Sequence, residues 1–248
     1  LAGSFAMLSL LAACVCWNHA GGRRWLIVSG ISAGLAFLSK SPALALAPAI
    51  GLIALLGDKG RQARDAQPEQ STRVARLVSL VSPLLVWALV ATLTVFALWP
   101  ALWVSPLAAY RQVQLGVVAE GAQPHMLGNF FLGRQDDAPG WAYYPVALAL
   151  RLTPWTLAGL LLLALPACWR AWSPAQRRDL AGLAGFALLF VAAMSVFPKK
   201  FDRYMVPAFP PLDVLAAAGL LGLPNLRMLS ERLGRARGPL LAGWAGLV

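Results

Sequence analysis

Charge is what this sequence has least of. Of its 248 residues only 12% are Asp, Glu, Lys or Arg, and just 10 are acidic. A soluble globular domain carries about 25% charged residues, so a water-soluble fold is excluded and the integral membrane class remains. Histidine is nearly missing, with 2 in the chain, and the 3 cysteines (Cys14, Cys16 and Cys168) have neither CxxC nor metal-ligand spacing. That pattern gives no zinc site and no disulfide framework, and all three are expected as packing residues. There is also no nucleophilic triad, no glycine loop of the kind that cradles phosphate, no internal repeat and no low-complexity tail.

Apolar residues fill the space instead, at 59% of the chain and a mean hydropathy of +0.66. They fall into runs over residues 2–17, 25–39, 42–57, 77–99, 143–167, 180–197 and 205–223. Lys40-Ser41-Pro42 separates the second run from the third. Pro42 disfavours helical geometry at the residue before it, and a lysine in mid-bilayer is costly. The flanking basic loops, 23–24 and 58–76, belong on one side, which requires an even number of crossings between them. The chain is therefore expected to turn at Lys40.

Alternating sides from a cytoplasmic Arg23-Arg24 puts fourteen of the 21 basic residues inside and seven outside, as the positive-inside bias requires. The predicted fold is all-α: a polytopic membrane bundle of about seven spans plus a truncated eighth over 239–248. Residues 1–248 form one transmembrane domain, with 100–141 as a long outer loop carrying short surface helices. Leu1 in place of Met, and a last run too short to span, suggest the central or C-terminal portion of a larger protein. Trp99, Trp103, Trp141 and Tyr143 fall at the outer interface as an aromatic belt.

Net charge is +11, but the basic residues lie between apolar runs, so orientation in the membrane explains them and no nucleic acid is implied. The outer seven are Lys40, Arg111, Arg134, Arg151, Lys199, Lys200 and Arg203. Three of these share one short turn, Lys199-Lys200-Phe201-Asp202-Arg203. Snorkelling to the headgroups explains one or two cations at a helix end; three on the less basic side point to an anionic ligand. Phosphate fits, because Arg offers it a bidentate fork and Lys a point charge. Tyr204 can hydrogen-bond the same group. Arg151 sits within its run just before Thr153-Pro154 breaks the helix, and Asp213 within the last run is expected to orient Arg151 or a neighbour. In the long loop, His125, Asn129 and Arg134 are candidates for positioning substrate. Asp136 and Asp137 are weak candidates for a general base or for holding a divalent cation.

Several segments recur in a familiar order. They are Phe37-Leu38-Ser39-Lys40-Ser41-Pro42; Trp99-Pro100-Ala101-Leu102-Trp103; and His125 with Asn129-Phe130-Phe131-Leu132-Gly133. Asp137-Ala138-Pro139-Gly140, Tyr143-Tyr144-Pro145, Arg151-Leu152-Thr153-Pro154-Trp155 and Lys200-Phe201-Asp202-Arg203-Tyr204 follow. Together they resemble the family 39 glycosyltransferases of GT-C type, relatives of the protein O-mannosyltransferases and of the lipid A aminoarabinose transferases. The resemblance implies a multi-pass enzyme of the bacterial inner (plasma) membrane. It would transfer a sugar from a polyprenyl-phosphate carrier, with inversion, to a hydroxyl of a glycan, lipid or protein acceptor on the outer face. It also implies that Lys40, Arg151, Lys200 and Arg203 meet the donor phosphate, and that the catalytic base lies upstream of Leu1. The alternatives are a polytopic transporter or lipid flippase, which calls for two related halves and paired charges near mid-bilayer, and a structural subunit without activity.

Overall fold

The computed structural model describes residues 1–19, 22–62, 73–124 and 128–222. His125, the basic segment 225–238 and the expected start of a further span at 239–248 lie outside them. The first two helices, α1 (Ala2–Asn18) and α2 (Arg23–Ser39), have 17 residues each. The chain breaks at Lys40, whose backbone is extended (φ −165°, ψ 127°), and continues through a 3-10 turn over Ser41–Ala45. Pro42 causes this: it has no N–H to give to an α-helical partner, and its ring crowds the carbonyl four residues back. Two longer helices follow, α3 (Leu46–Gln62) and α4 (Arg73–Leu98).

The loop after α4 holds short helices, as expected: α5 (Ala101–Val104), α6 (Pro106–Gln114), a π-type turn over Leu115–Ala119, and α7 (Glu120–Ala122). It also holds an unexpected antiparallel hairpin. Strand β1 (Asn129–Phe131) pairs with β2 (Arg134–Asp136), placing Asn129 opposite Asp136. The two-residue turn, Leu132-Gly133, has φ of 50° and 82°, the positive values that a type I′ turn demands.

Beyond the hairpin, α8 (Tyr143–Arg151) and α9 (Pro154–Leu163) meet at an angle of 115°. Thr153 caps α9, its hydroxyl accepting the N–H of Thr156 at 3.1 Å. Pro154 starts α9 where no intrahelical donor is needed. After α10 (Pro166–Arg170) comes α11 (Pro174–Val196), which opens with a capping box between Ser173 and Gln176. A 3-10 turn over Asp202–Ala208 then leads into α12 (Phe209–Leu221).

Four helical stretches among the described residues are long and apolar enough to cross a membrane, and up to five if the bent α8–α9 pair is one span. The expected seven is therefore not reached by length. At 1.5 Å per residue, α1 and α2 are each about 25 Å long, short of a hydrocarbon core of about 30 Å.

Packing uses small residues where helices cross, as it does in lipid. Gly30 and Gly34 of α2 lie against α4 so closely that a Cβ on Gly34 would sit 2.8 Å from the Ala91 carbonyl oxygen. Behind this crossing, Ser9 and Ser29 exchange hydrogen bonds with each other's carbonyls (2.9 and 2.8 Å), and the Trp87 indole donates to Ser29 Oγ at 3.1 Å. The core proper joins Leu10, Ile50, Ile53, Phe186 and Phe190 from α1, α3 and α11. By contrast, most of α4 exposes its apolar side chains to the surroundings, as a lipid-facing helix does.

Contacts also sort the bundle into two ends. At one, Trp17 packs on Gly57, and the Asp179 carboxylate meets both Asn18 Nδ2 and His19 Nε2 at 2.6 Å. At the other, Gly3 packs on Val206 and Pro207, and Lys40 reaches Tyr204. The second end carries the site.

Candidate functional site

A cavity of about 320 Å³ opens at this end, between the Lys40 turn, the loop after α6 and the tail of α11. Lys40, Ser41, Lys199 and Tyr204 give it polar walls; Leu44, Val117, Phe190, Met194 and Phe197 give it apolar ones. The Lys40 ammonium lies 4.3 Å from the centre of the Tyr204 ring, a cation–π arrangement that fixes both side chains. Burial pushes the Lys40 pKa below the ordinary lysine value, and the positive charge of Arg203 pushes it further. An anion arriving beside Lys40 and Arg203 offsets their mutual repulsion and favours the charged lysine.

Arg203 is exposed, with its guanidinium 4.5 Å from the Phe201 ring centre and its main-chain N–H donating to Asp202 Oδ1 at 2.7 Å. The other carboxylate oxygen of Asp202 receives Arg151, so Arg151 ties α8 to this turn. On the loop side, the Lys199 N–H donates to the Gly121 carbonyl at 3.3 Å. A Cβ on Gly121 would sit 2.9 Å from the Phe197 ring, so glycine permits the close approach.

Apolar space adjoins the cationic cavity. A cavity of about 650 Å³, bounded by Phe37, Leu98 and Trp99, shares Ser41, Gly116 and Val117 with it. A third, of about 270 Å³, runs between α2, α3 and α4 and shares Leu44. The three cavities therefore touch through shared wall residues.

The residues singled out from sequence divide accordingly. Lys40, Lys199 and Tyr204 come together on one cavity, with Arg203 acting on Lys40 from beside it. Lys200 is buried and turned toward α11, where its Nζ donates to main-chain carbonyls. Arg134, Asp136 and Asp137 line a shallow depression on the hairpin and are not among the residues lining the cationic cavity. There Asp136 Oδ1 accepts the Ala138 N–H at 2.9 Å, the common use of an aspartate in a turn. Asn129 stands on β1 opposite Asp136. Asp213 does not orient Arg151, which pairs with Asp202; it accepts from Thr156 Oγ1 at 3.3 Å, so the neighbour it orients is Thr156. Among the described residues no three or more His, Cys, Asp or Glu side chains are grouped to hold a metal ion.

Sequence reasoning missed Asp202 as the partner of Arg151, and missed Ser41, Gly121 and Phe197 as walls. The Arg151–Asp202 pair had a signal, the lone anion inside a cationic turn. The walls had none, since a serine, a glycine and a phenylalanine in apolar surroundings carry no distinguishing chemistry.

Residues 2–87 match the family model described as dolichyl-phosphate-mannose-protein mannosyltransferase. The matched segment runs from α1 into α4 and includes Lys40. The match covers about a third of the chain, and that segment is similar to this family. No curated protein and no solved structure matches the chain.

Proposed function

We propose that this chain binds the donor of a membrane glycosyltransferase, a sugar carried on polyprenyl phosphate, and that its cationic cavity takes the phosphate. The observation that carries this reading is the meeting of Lys40, Lys199 and Tyr204 on one cavity with apolar walls and apolar space beside it. A water-soluble sugar phosphate needs no such space; a prenyl tail does.

In transfer, the bond from the anomeric carbon to the phosphate oxygen breaks and its electron pair stays on that oxygen. The acceptor hydroxyl oxygen bonds to the anomeric carbon from the opposite face, which inverts it, and its proton passes to a base. Negative charge grows on the leaving phosphate, where Lys40, Lys199 and Arg203 stand ready without reorganising. By the family resemblance that base stands on an outer loop and is none of the residues lining the cavity. Acceptor, sugar and outer-face orientation follow the same resemblance.

The test is transfer of a radiolabelled sugar from polyprenyl phosphate by the full-length protein in liposomes. Arg203→Ala is expected to lower turnover by about tenfold or more at unchanged expression. Wild-type turnover in that variant removes Arg203 from the phosphate site. The break between α8 and α9 is also a transporter feature, and the same assay separates the readings: a flippase moves the carrier with its sugar still attached.

A further inference from the structure

Lys200 stands in the chain between Lys199 and Arg203, two of the three cations assigned to the donor, and it turns inward instead. Its residue is 1% exposed, and Nζ donates to the carbonyls of Ser195 (2.6 Å) and Met194 (3.3 Å). Both carbonyls belong to the last turn of α11, where the helix has no N–H left to satisfy them. An ammonium there also meets the negative end of the helix dipole. Tyr144 closes the other side, with its ring centre 5.1 Å from Nζ. The Tyr144 hydroxyl accepts the Phe201 N–H at 3.3 Å, and Tyr144 is fully buried. Lys200 is thus anchored at its side chain and, through the next residue, at its backbone.

The anchoring has a consequence for its neighbours. In extended chain, consecutive side chains leave from opposite sides, and Phe201 is extended (φ −148°, ψ 134°). With Lys200 driven inward, Lys199 turns to the cavity wall. Phe201 follows on that side of the register and carries the Arg203 guanidinium on its ring. Two adjacent lysines with the same chemistry are thereby given different work.

We propose that Lys200 and Tyr144 are positioning residues that lock the turn so that Lys199 and Arg203 face the phosphate, and that Lys200 does not touch the donor. This rests on the donor reading above, and it reverses the role that the family resemblance suggests for Lys200.

Amine acetylation tests it. Full-length protein in detergent is treated with limiting acetic anhydride, with and without farnesyl phosphate as probe, and each lysine is followed by mass spectrometry. Lys200 is expected to react about tenfold more slowly than Lys199 and Lys40, whether or not the probe is present. Farnesyl phosphate protects Lys40 and Lys199. Tyr144→Phe, which keeps the ring and removes the hydroxyl, raises the Lys200 rate and weakens probe affinity about threefold. Because no phosphate contact is lost, the dependence of affinity on ionic strength stays as in wild type.

A Lys200 that reacts as fast as Lys199 and is protected by the probe overturns the proposal. So does Tyr144→Phe with unaltered rate and affinity. Failure of the donor reading looks different: Lys200 stays unreactive while neither Lys40 nor Lys199 is protected, which leaves the turn nothing to be positioned for. The wild-type labelling needs no variant to fold.

Discussion

Lys40→Met is expected to weaken farnesyl phosphate binding by about tenfold to a hundredfold, the worth of one charge-assisted hydrogen bond to phosphate. Methionine keeps the length and apolar stem of lysine, so the wall of the cavity is preserved and only the ammonium is lost. Uncharged farnesol is the control, and its affinity is expected to be unchanged. Equal farnesyl phosphate affinity in Lys40→Met and wild type would take Lys40 out of the site.

The same lysine predicts a pH profile. Its folded pKa lies below the ordinary 10.5, through burial first and Arg203 second. Phosphate affinity in the wild type is therefore expected to fall as pH rises through that lowered pKa, before an exposed lysine would lose its charge. Stability without ligand runs the other way. Between the folded pKa and 10.5 the unfolded chain holds more protons, so folded stability rises with pH in that window. Both trends weaken in Lys40→Met, with the buried Lys200, whose pKa is also lowered by burial, keeping part of the stability trend; titration by intrinsic fluorescence measures them.

Gly219→Ile has the largest expected effect on stability. α9 and α12 cross with backbone against backbone: a Cβ on Gly219 would overlap the Gly159 carbonyl, and one on Gly159 would overlap Ala216. Neither neighbour is a side chain that can swing aside. Forcing in a β-branched residue separates the helices and loosens the Thr156–Asp213 hydrogen bond between them. The expected cost is about 3 kcal/mol, at the upper end for overpacking. It is read as a lower midpoint in unfolding by sodium dodecyl sulfate, followed by tryptophan fluorescence. Gly51→Ala is the control, since a Cβ there meets nothing within 4 Å; it is expected to be neutral or stabilising by up to about 1 kcal/mol. A Gly219→Ile protein as stable as wild type would mean that these helices do not meet as described.

The membrane class and both helix breaks are legible in the sequence. Pro42 and Pro154 act through their own rings and missing N–H groups, so local sequence suffices. The hairpin was not legible: Asn129-Phe130-Phe131-Leu132-Gly133 lacks strict alternation, and its turn has Leu132 where Asn or Asp would announce a type I′ turn. Span number differs because short apolar runs read like spans in the sequence, whereas by length and composition four helical stretches among the described residues qualify, or up to five with the bent pair. The clustering of cations at one end followed from charge bias, but the inward turn of Lys200 did not. Nothing local tells Lys199 from Lys200; the open carbonyls at the end of α11 and the Tyr144 ring decide it, and Tyr144 lies 56 residues before Lys200 in the chain.

The most direct measurement is photocrosslinking of the full-length protein with farnesyl phosphate carrying a diazirine on its first isoprene unit, with adducts mapped by mass spectrometry. Adducts concentrated at Ser41, Leu44, Val117 and Phe197, and competed by unlabelled farnesyl phosphate but not by farnesol, are the predicted result. Adducts spread along the lipid-facing side of α4, and indifferent to the phosphate, would contradict the account.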